Sequence, residues 1–144
     1  MLTGRPISSR QRPEAGETER IESIKFGLDL PRPDLVQTLD LRVGLMYENG
    51  LIEETRELLD CYPQDCRAFD AIGYREAVRL INGEMDRDQA IAETRKRTRA
   101  YAKRQITWLR AEKGIHWIDM RKSQESGLDE MTAVINARFG ESSR

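Results

Sequence analysis

The hydrophobic period changes several times along the chain, and each change marks an element. From Ile24 to Leu30 the pattern is strict alternation. Ile24, Phe26, Leu28 and Leu30 point one way, and Lys25, Gly27 and Asp29 the other. A period of two predicts a strand, and Pro31 and Pro33 are expected to end it. From Asp34 the period lengthens. Leu35, Leu39, Val43 and Met46 recur at three- and four-residue spacing, which predicts a helix to about Glu48 with one buried stripe. Asn49-Gly50 supplies its stop. A second helix is expected over 51–60, with Ile52, Thr55, Leu58 and Leu59 inward and Glu53, Glu54 and Glu57 outward. Tyr62-Pro63 breaks it. Phe69, Ile72, Val78 and Ile81 then predict a third helix over 67–81. Gly73 falls inside that helix, at a cost of about 1 kcal/mol relative to Ala, and such a glycine marks a close approach by backbone or ligand. Asn82-Gly83 closes it.

Asp86 followed by Gln89 reads as a capping box. The helix it opens extends to Ala111, roughly 38 Å at 1.5 Å per residue. Gly114 ends it. IHWIDM, from Ile115 to Met120, predicts a short buried strand, and a last helix covers 128–139. Residues 1–22 are rich in Arg, Ser, Gly, Pro and Glu and are expected to form a mobile arm. Residues 23–144 are expected to fold as one helical domain. The fold class is therefore mainly α with two short strands.

Charge changes the picture. The 144 residues carry 24 Lys and Arg against 25 Asp and Glu, a formal net charge of −1. That balance alone does not suggest a nucleic-acid binder. The distribution does. Residues 97–110 read RTRAYAKRQITWLR, and from Arg95 to Arg110 there are seven cations and no carboxylate. A ligand responds to the nearest charges. On a helical wheel Ile91, Thr98, Ala102, Ile106 and Leu109 share the expected core-facing stripe. Arg97, Tyr101, Arg104 and Trp108 form an adjacent ridge at spacing i, i+4, i+7, i+11. Cations on such a ridge neutralise phosphates, and the rings between them can stack on unpaired bases. Gln105 can reach a base edge. A second reading stays open here: a solvated face, balanced by the acidic second helix, with Tyr101 and Trp108 at the core boundary.

Other chemistry is sparse. Cys61 and Cys66, in CYPQDC, read as two reduced thiols rather than a disulfide scaffold. His116, the one histidine, reads as structural, and with no further ligands in range there is no zinc site. Asp29, Glu53, Glu54 and Asp119 show no spacing that specifies catalysis. No Gly-Lys-Ser/Thr run forms a phosphate-binding loop. No apolar run approaches the roughly 20 residues that span a bilayer, and the N-terminus has no secretory pattern. A cytoplasmic protein is expected.

Several runs together are familiar. GYREAVRLINGE (Gly73 to Glu84), TRAYAKRQITWLR (Thr98 to Arg110) and IHWID (Ile115 to Asp119) closely resemble the C-terminal part of bacterial tRNA dimethylallyltransferases. LTGRPIS, KFGLDLPR and RVGLMYENGLIEE resemble further segments in the same order, so the likeness covers about residues 2–120. The resemblance implies the C-terminal portion of a P-loop-type α/β fold with most of its central sheet missing. It implies transfer of a dimethylallyl group from dimethylallyl diphosphate to N6 of the adenosine beside the anticodon, with Mg²⁺ as cofactor. It implies contact with a tRNA anticodon stem-loop through Asp70, Gly73, Tyr74 and Arg75, and through Lys103, Arg104, Gln105, Thr107, Trp108 and Arg110. The ridge reading adds Arg97 and Tyr101. Arg42 matches a family arginine that reaches the donor's diphosphate, and a guanidinium fork suits that group.

Two departures follow from the same comparison. The family's P-loop, general base and neighbouring threonine precede LTGRPIS in family order, so no catalytic residue is expected in this chain and a separate N-terminal half is an expected partner. Thr38 stands where the family often has a second arginine. The chain alone is expected to be inactive, and its two strands to lack the partners they have in the family. A non-catalytic helical RNA-binding protein and a subunit of a split enzyme remain the alternatives.

Overall fold

The computed structural model describes residues 22–121 and 124–140. The arm expected over 1–22 lies, except for Glu22, outside the described residues.

Strand β1 (Lys25–Asp29) opens the fold and pairs in parallel with β2 (Ile115–Asp119), with Lys25 opposite Ile115 and Asp29 opposite Asp119. The two strands, expected to lack the partners they have in the family, pair with each other. A parallel pair needs a crossover, because the chain must return to the same end of the sheet. Here four helices make that return: α1 (Arg32–Glu48), α2 (Leu51–Cys61), α3 (Tyr74–Ile81) and α4 (Arg87–Ala111). α5 (Gln124–Phe139) follows β2 and packs against it. The result is mainly helical with a two-stranded parallel sheet, a partial α/β fold.

Local chemistry explains the boundaries. α1 begins at Arg32, two residues before the expected start. Pro33 lies in the first turn, where a missing N–H costs nothing, and the Leu35 amide donates to the Pro31 carbonyl at 2.9 Å. α4 has its capping box: the Gln89 amide donates to Asp86 Oδ1 at 2.8 Å, and the Asp86 amide to Gln89 Oε1 at 3.0 Å. The helix expected over 67–81 is corrected. It is a 3₁₀ turn at Arg67–Asp70 and then α3, separated at Gly73. Gly73 has φ 103°, which other residues avoid, and a Cβ there would meet Met46 Cε at 3.1 Å. The glycine turns the chain before α3 rather than weakening a helix. β2 is less buried than expected. Ile118 is sealed against α5, but His116 and Trp117 remain exposed. α5 begins at Gln124 rather than 128.

The core lies among the four crossover helices. Val43 and Tyr47 of α1, Leu51 and Ile52 of α2, Ala77 of α3 and Ala90 of α4 form it. It is threaded by polar contacts. The Thr94 hydroxyl donates to the Ala90 carbonyl at 2.8 Å, so it accepts from the Tyr47 phenol, also at 2.8 Å. Arg87 caps the end of α1 by donating to the Tyr47 carbonyl at 3.0 Å. These bonds fix the register of α4 against antiparallel α1.

Candidate nucleic-acid interface

The ridge on α4 continues a packing face. Ala90 and Thr94 precede Arg97 at the same four-three spacing as Tyr101, Arg104 and Trp108, and both are fully buried. α3 is only eight residues long. Beyond it the face opens to solvent. Tyr101 is 48% exposed and Trp108 67%. Arg104 lies over the Tyr101 ring, 5.8 Å from its centroid, a cation–π contact that holds both groups outward. The expected inward stripe of Ile91, Thr98, Ala102, Ile106 and Leu109 is only half-buried. Ala102 and Ile106 instead border an apolar trough of about 530 Å³ against Leu35, Val36 and Leu39 of α1.

One residue leaves the ridge. Arg97 donates to Glu76, whose side chain is 1% exposed. The other oxygen of Glu76 accepts the Gly73 amide at 2.9 Å. Arg97, expected to face RNA, has its guanidinium on a buried carboxylate, which costs too much to leave unpaired. Sequence reading missed Glu76, although a Gly-x-x-Glu spacing before a helix was a usable signal. Through Glu76 the turn carrying Gly73, Tyr74 and Arg75 is fixed to the basic helix.

The remaining cations are distributed as follows. Arg99 makes a two-point pair with Asp40 of α1, its Nε 2.8 Å from Oδ1, and that hydrogen-bonded carboxylate raises the Arg99 pKa. Arg110 stands 4.0 Å from Asp29. Lys103 and Arg104 have no ion-pair partner among the described residues, and neither does exposed Arg75. Gln105 and Thr107 are exposed, with the Thr107 hydroxyl donating to the Lys103 carbonyl at 2.8 Å. The acidic face of α2 does not balance α4: Glu53 pairs with Arg56 of its own helix, and Glu54 accepts from the Tyr74 phenol at 2.6 Å. That bond is the main cause of the raised Tyr74 pKa.

Tyr74 also joins the interface to a second cleft. Arg42, Met46, Leu51, Glu54, Ile72 and Tyr74 border a space of about 420 Å³. Arg42 is exposed and without an ion-pair partner among the described residues. Asp70 is exposed at the end of the 3₁₀ turn. Thr38 donates to the Asp34 carbonyl at 2.9 Å, so its hydroxyl is spent on its own helix. His116 stays exposed, its ring 6.0 Å from that of Phe26. Cys61 and Cys66 are free thiols on the surface. Among the described residues no three His, Cys, Asp or Glu side chains converge to hold a metal, and no helix is long and apolar enough to cross a membrane.

Residues 1–112 match the family model described as IPP transferase. The chain belongs to the IPP transferase family. Its relatives include the tRNA dimethylallyltransferase 1 of Trichlorobacter lovleyi, 39% identical over 117 residues, covering 81% of this chain and 38% of that protein. The tRNA dimethylallyltransferase of Staphylococcus aureus is 34% identical, covering 82% and 38%. Two solved structures share the fold with TM-score 0.77. The Staphylococcus epidermidis tRNA delta(2)-isopentenylpyrophosphate transferase is 32% identical and covers 81% of this chain and 38% of its own. The full-length tRNA isopentenylpyrophosphate transferase of Bacillus halodurans is 33% identical, with 82% and 39% covered. The chain thus spans about two fifths of the length of the IPP transferases it matches.

Proposed function

We propose that this chain is the tRNA-gripping part of a tRNA dimethylallyltransferase, and that it acts in the cytoplasm on an anticodon stem-loop. The observation that carries the reading is the open end of α4, where Tyr101 and Trp108 are exposed with unpaired Arg104 on the same ridge, while unpaired Lys103 lies across the helix beside the α1 trough. Such a ridge offers phosphate neutralisation and base stacking together. The turn at Gly73, which carries Tyr74 and Arg75 and is tied to α4 through Glu76, would supply a second edge, with Asp70 just before it. Gln105 lies beside the ridge, and Thr107 and Arg110 would meet RNA from the trough side of α4.

The reaction is transfer of a dimethylallyl group to N6 of the adenosine beside the anticodon. The amine attacks the allylic carbon, the carbon–oxygen bond to diphosphate breaks, and the amine proton passes to a base. Arg42, at the mouth of its cleft, offsets charge on the departing diphosphate. The base and the remaining diphosphate contacts belong to the part of the enzyme that lies outside this match. Mg²⁺, when bound, would neutralise charge on that diphosphate. The described residues form no cradle for the ion, so no step is assigned to it here.

The test is a prenyl-transfer assay on an anticodon stem-loop, with this chain alone and with the N-terminal part of a relative. Product only in the combined reaction is expected. Prenylation by the chain alone refutes the division of labour, and no RNA binding in either arm refutes the reading.

A further inference from the structure

At the carboxyl ends of β1 and β2 lies a cleft of about 290 Å³ that the reading above does not use. Its chemistry comes from Asp29, Arg32, Arg110, Trp117, Asp119 and Arg121. The place is the one where open parallel sheets receive ligands. Trp117 sits directly opposite Gly27 in the ladder. A Cβ on Gly27 would lie 2.8 Å from Cε3 and Cζ3 of the indole. The ring therefore rests on bare backbone, and 37% of the residue is exposed. A ring seated this way has lost its freedom before any ligand arrives, which lowers the cost of stacking on it. Around it, Arg121 is held by Asp119, with Nε 2.9 Å from both carboxylate oxygens. Arg110 is 67% exposed and at the limit of an ion pair with Asp29. Arg32 is exposed without an ion-pair partner among the described residues. Arg32 thus remains for an anion, and Arg110 can turn to one from its loose pair with Asp29, whose carboxylate is then released to accept from an amine or ribose hydroxyl. The volume lies at the lower edge of ligand pockets and suits one nucleotide, not a duplex.

We propose that this cleft binds a single nucleotide of the RNA, its base stacked on Trp117 and its phosphate held by Arg32 and Arg110. The proposal rests on the RNA-binding reading, because Arg110 ends the basic stretch of α4 and leads a strand from the ridge to the cleft.

The chain has two tryptophans. Labelled with 5-fluorotryptophan it gives two ¹⁹F resonances, assigned with Trp108→Phe. Adenosine monophosphate and an anticodon stem-loop are expected to shift the Trp117 resonance, and inorganic phosphate alone to leave it in place. The double variant Arg32→Ala/Arg110→Ala, at exposed positions, is expected to weaken nucleotide binding by about tenfold or more with an unchanged melting temperature. A stem-loop that binds by fluorescence anisotropy without moving the Trp117 resonance overturns the subsite and leaves the α4 ridge standing. An equal shift with phosphate alone overturns the nucleotide assignment. No stem-loop binding at all overturns the ridge and the subsite together.

Discussion

Glu76→Ala should destabilise the fold more than other carboxylate removals. The side chain is 1% exposed and serves two donors at once, the Gly73 amide at 2.9 Å and the Arg97 guanidinium. Removing it strands a buried backbone amide, which costs about 1–3 kcal/mol. It also leaves Arg97 unpaired. Breaking a fully buried pair costs about 3–5 kcal/mol, but the Arg97 side chain is 29% exposed and recovers water, so the lower part of that range applies. The two losses overlap, and their joint effect is about 3 kcal/mol. Glu76→Gln keeps the shape and one acceptor, and about half of that loss is expected. Urea unfolding reads this directly: the midpoint falls while the slope m stays constant. A Glu76→Ala midpoint equal to that of exposed Glu57→Ala would refute the claim that this carboxylate ties the Gly73 turn to the basic helix.

Gly73→Ala should cost about 1–3 kcal/mol by the same measurement, because φ 103° is strained for any side chain and Met46 stands in the way. Tyr47→Phe removes the phenol that donates to Thr94 and should cost about 1 kcal/mol. Burial raises the Tyr47 pKa above its ordinary value near 10, so the fold favours the neutral phenol. Its contribution is complete below about pH 10 and is lost as pH rises through the folded value. The wild-type chain should therefore lose urea resistance above about pH 10, and Tyr47→Phe should lose less over that range. Arg97→Gln should lower stability yet leave the salt dependence of stem-loop binding unchanged, since its guanidinium serves Glu76 rather than a phosphate.

The sequence shows clearly where its signals are local. The Asp86 and Gln89 capping box, the prolines near Arg32 and the four-three spacing of α4 each act within one turn, and each places its element to within a few residues. The misses share a different cause. Which half of the α4 face is buried depends on where α3 ends, and nothing within α4 encodes that. Arg97 and Arg104 look equivalent on a wheel, and only the neighbouring helix separates them. Gly73 looks like a helix defect until its partner Glu76 is recognised, because a positive φ leaves no trace except the glycine itself. The pairing of β1 with β2 joins segments separated by all four crossover helices, and strand periodicity gives a face but no partner. Trp117 looks like a buried strand residue because the alternation cannot show that Gly27 opposite it leaves the indole lying on the surface.

The central claim is that the exposed end of α4 binds RNA through Lys103, Arg104 and the rings beside them. The most direct measurement is the affinity of an anticodon stem-loop across a series of salt concentrations, for the wild-type chain, Arg104→Ala and Trp108→Ala. The account expects Arg104→Ala to weaken binding and flatten the log–log salt slope by about one, and Trp108→Ala to cost about 1–3 kcal/mol of affinity with the slope unchanged. Identical binding curves for all three chains would contradict it.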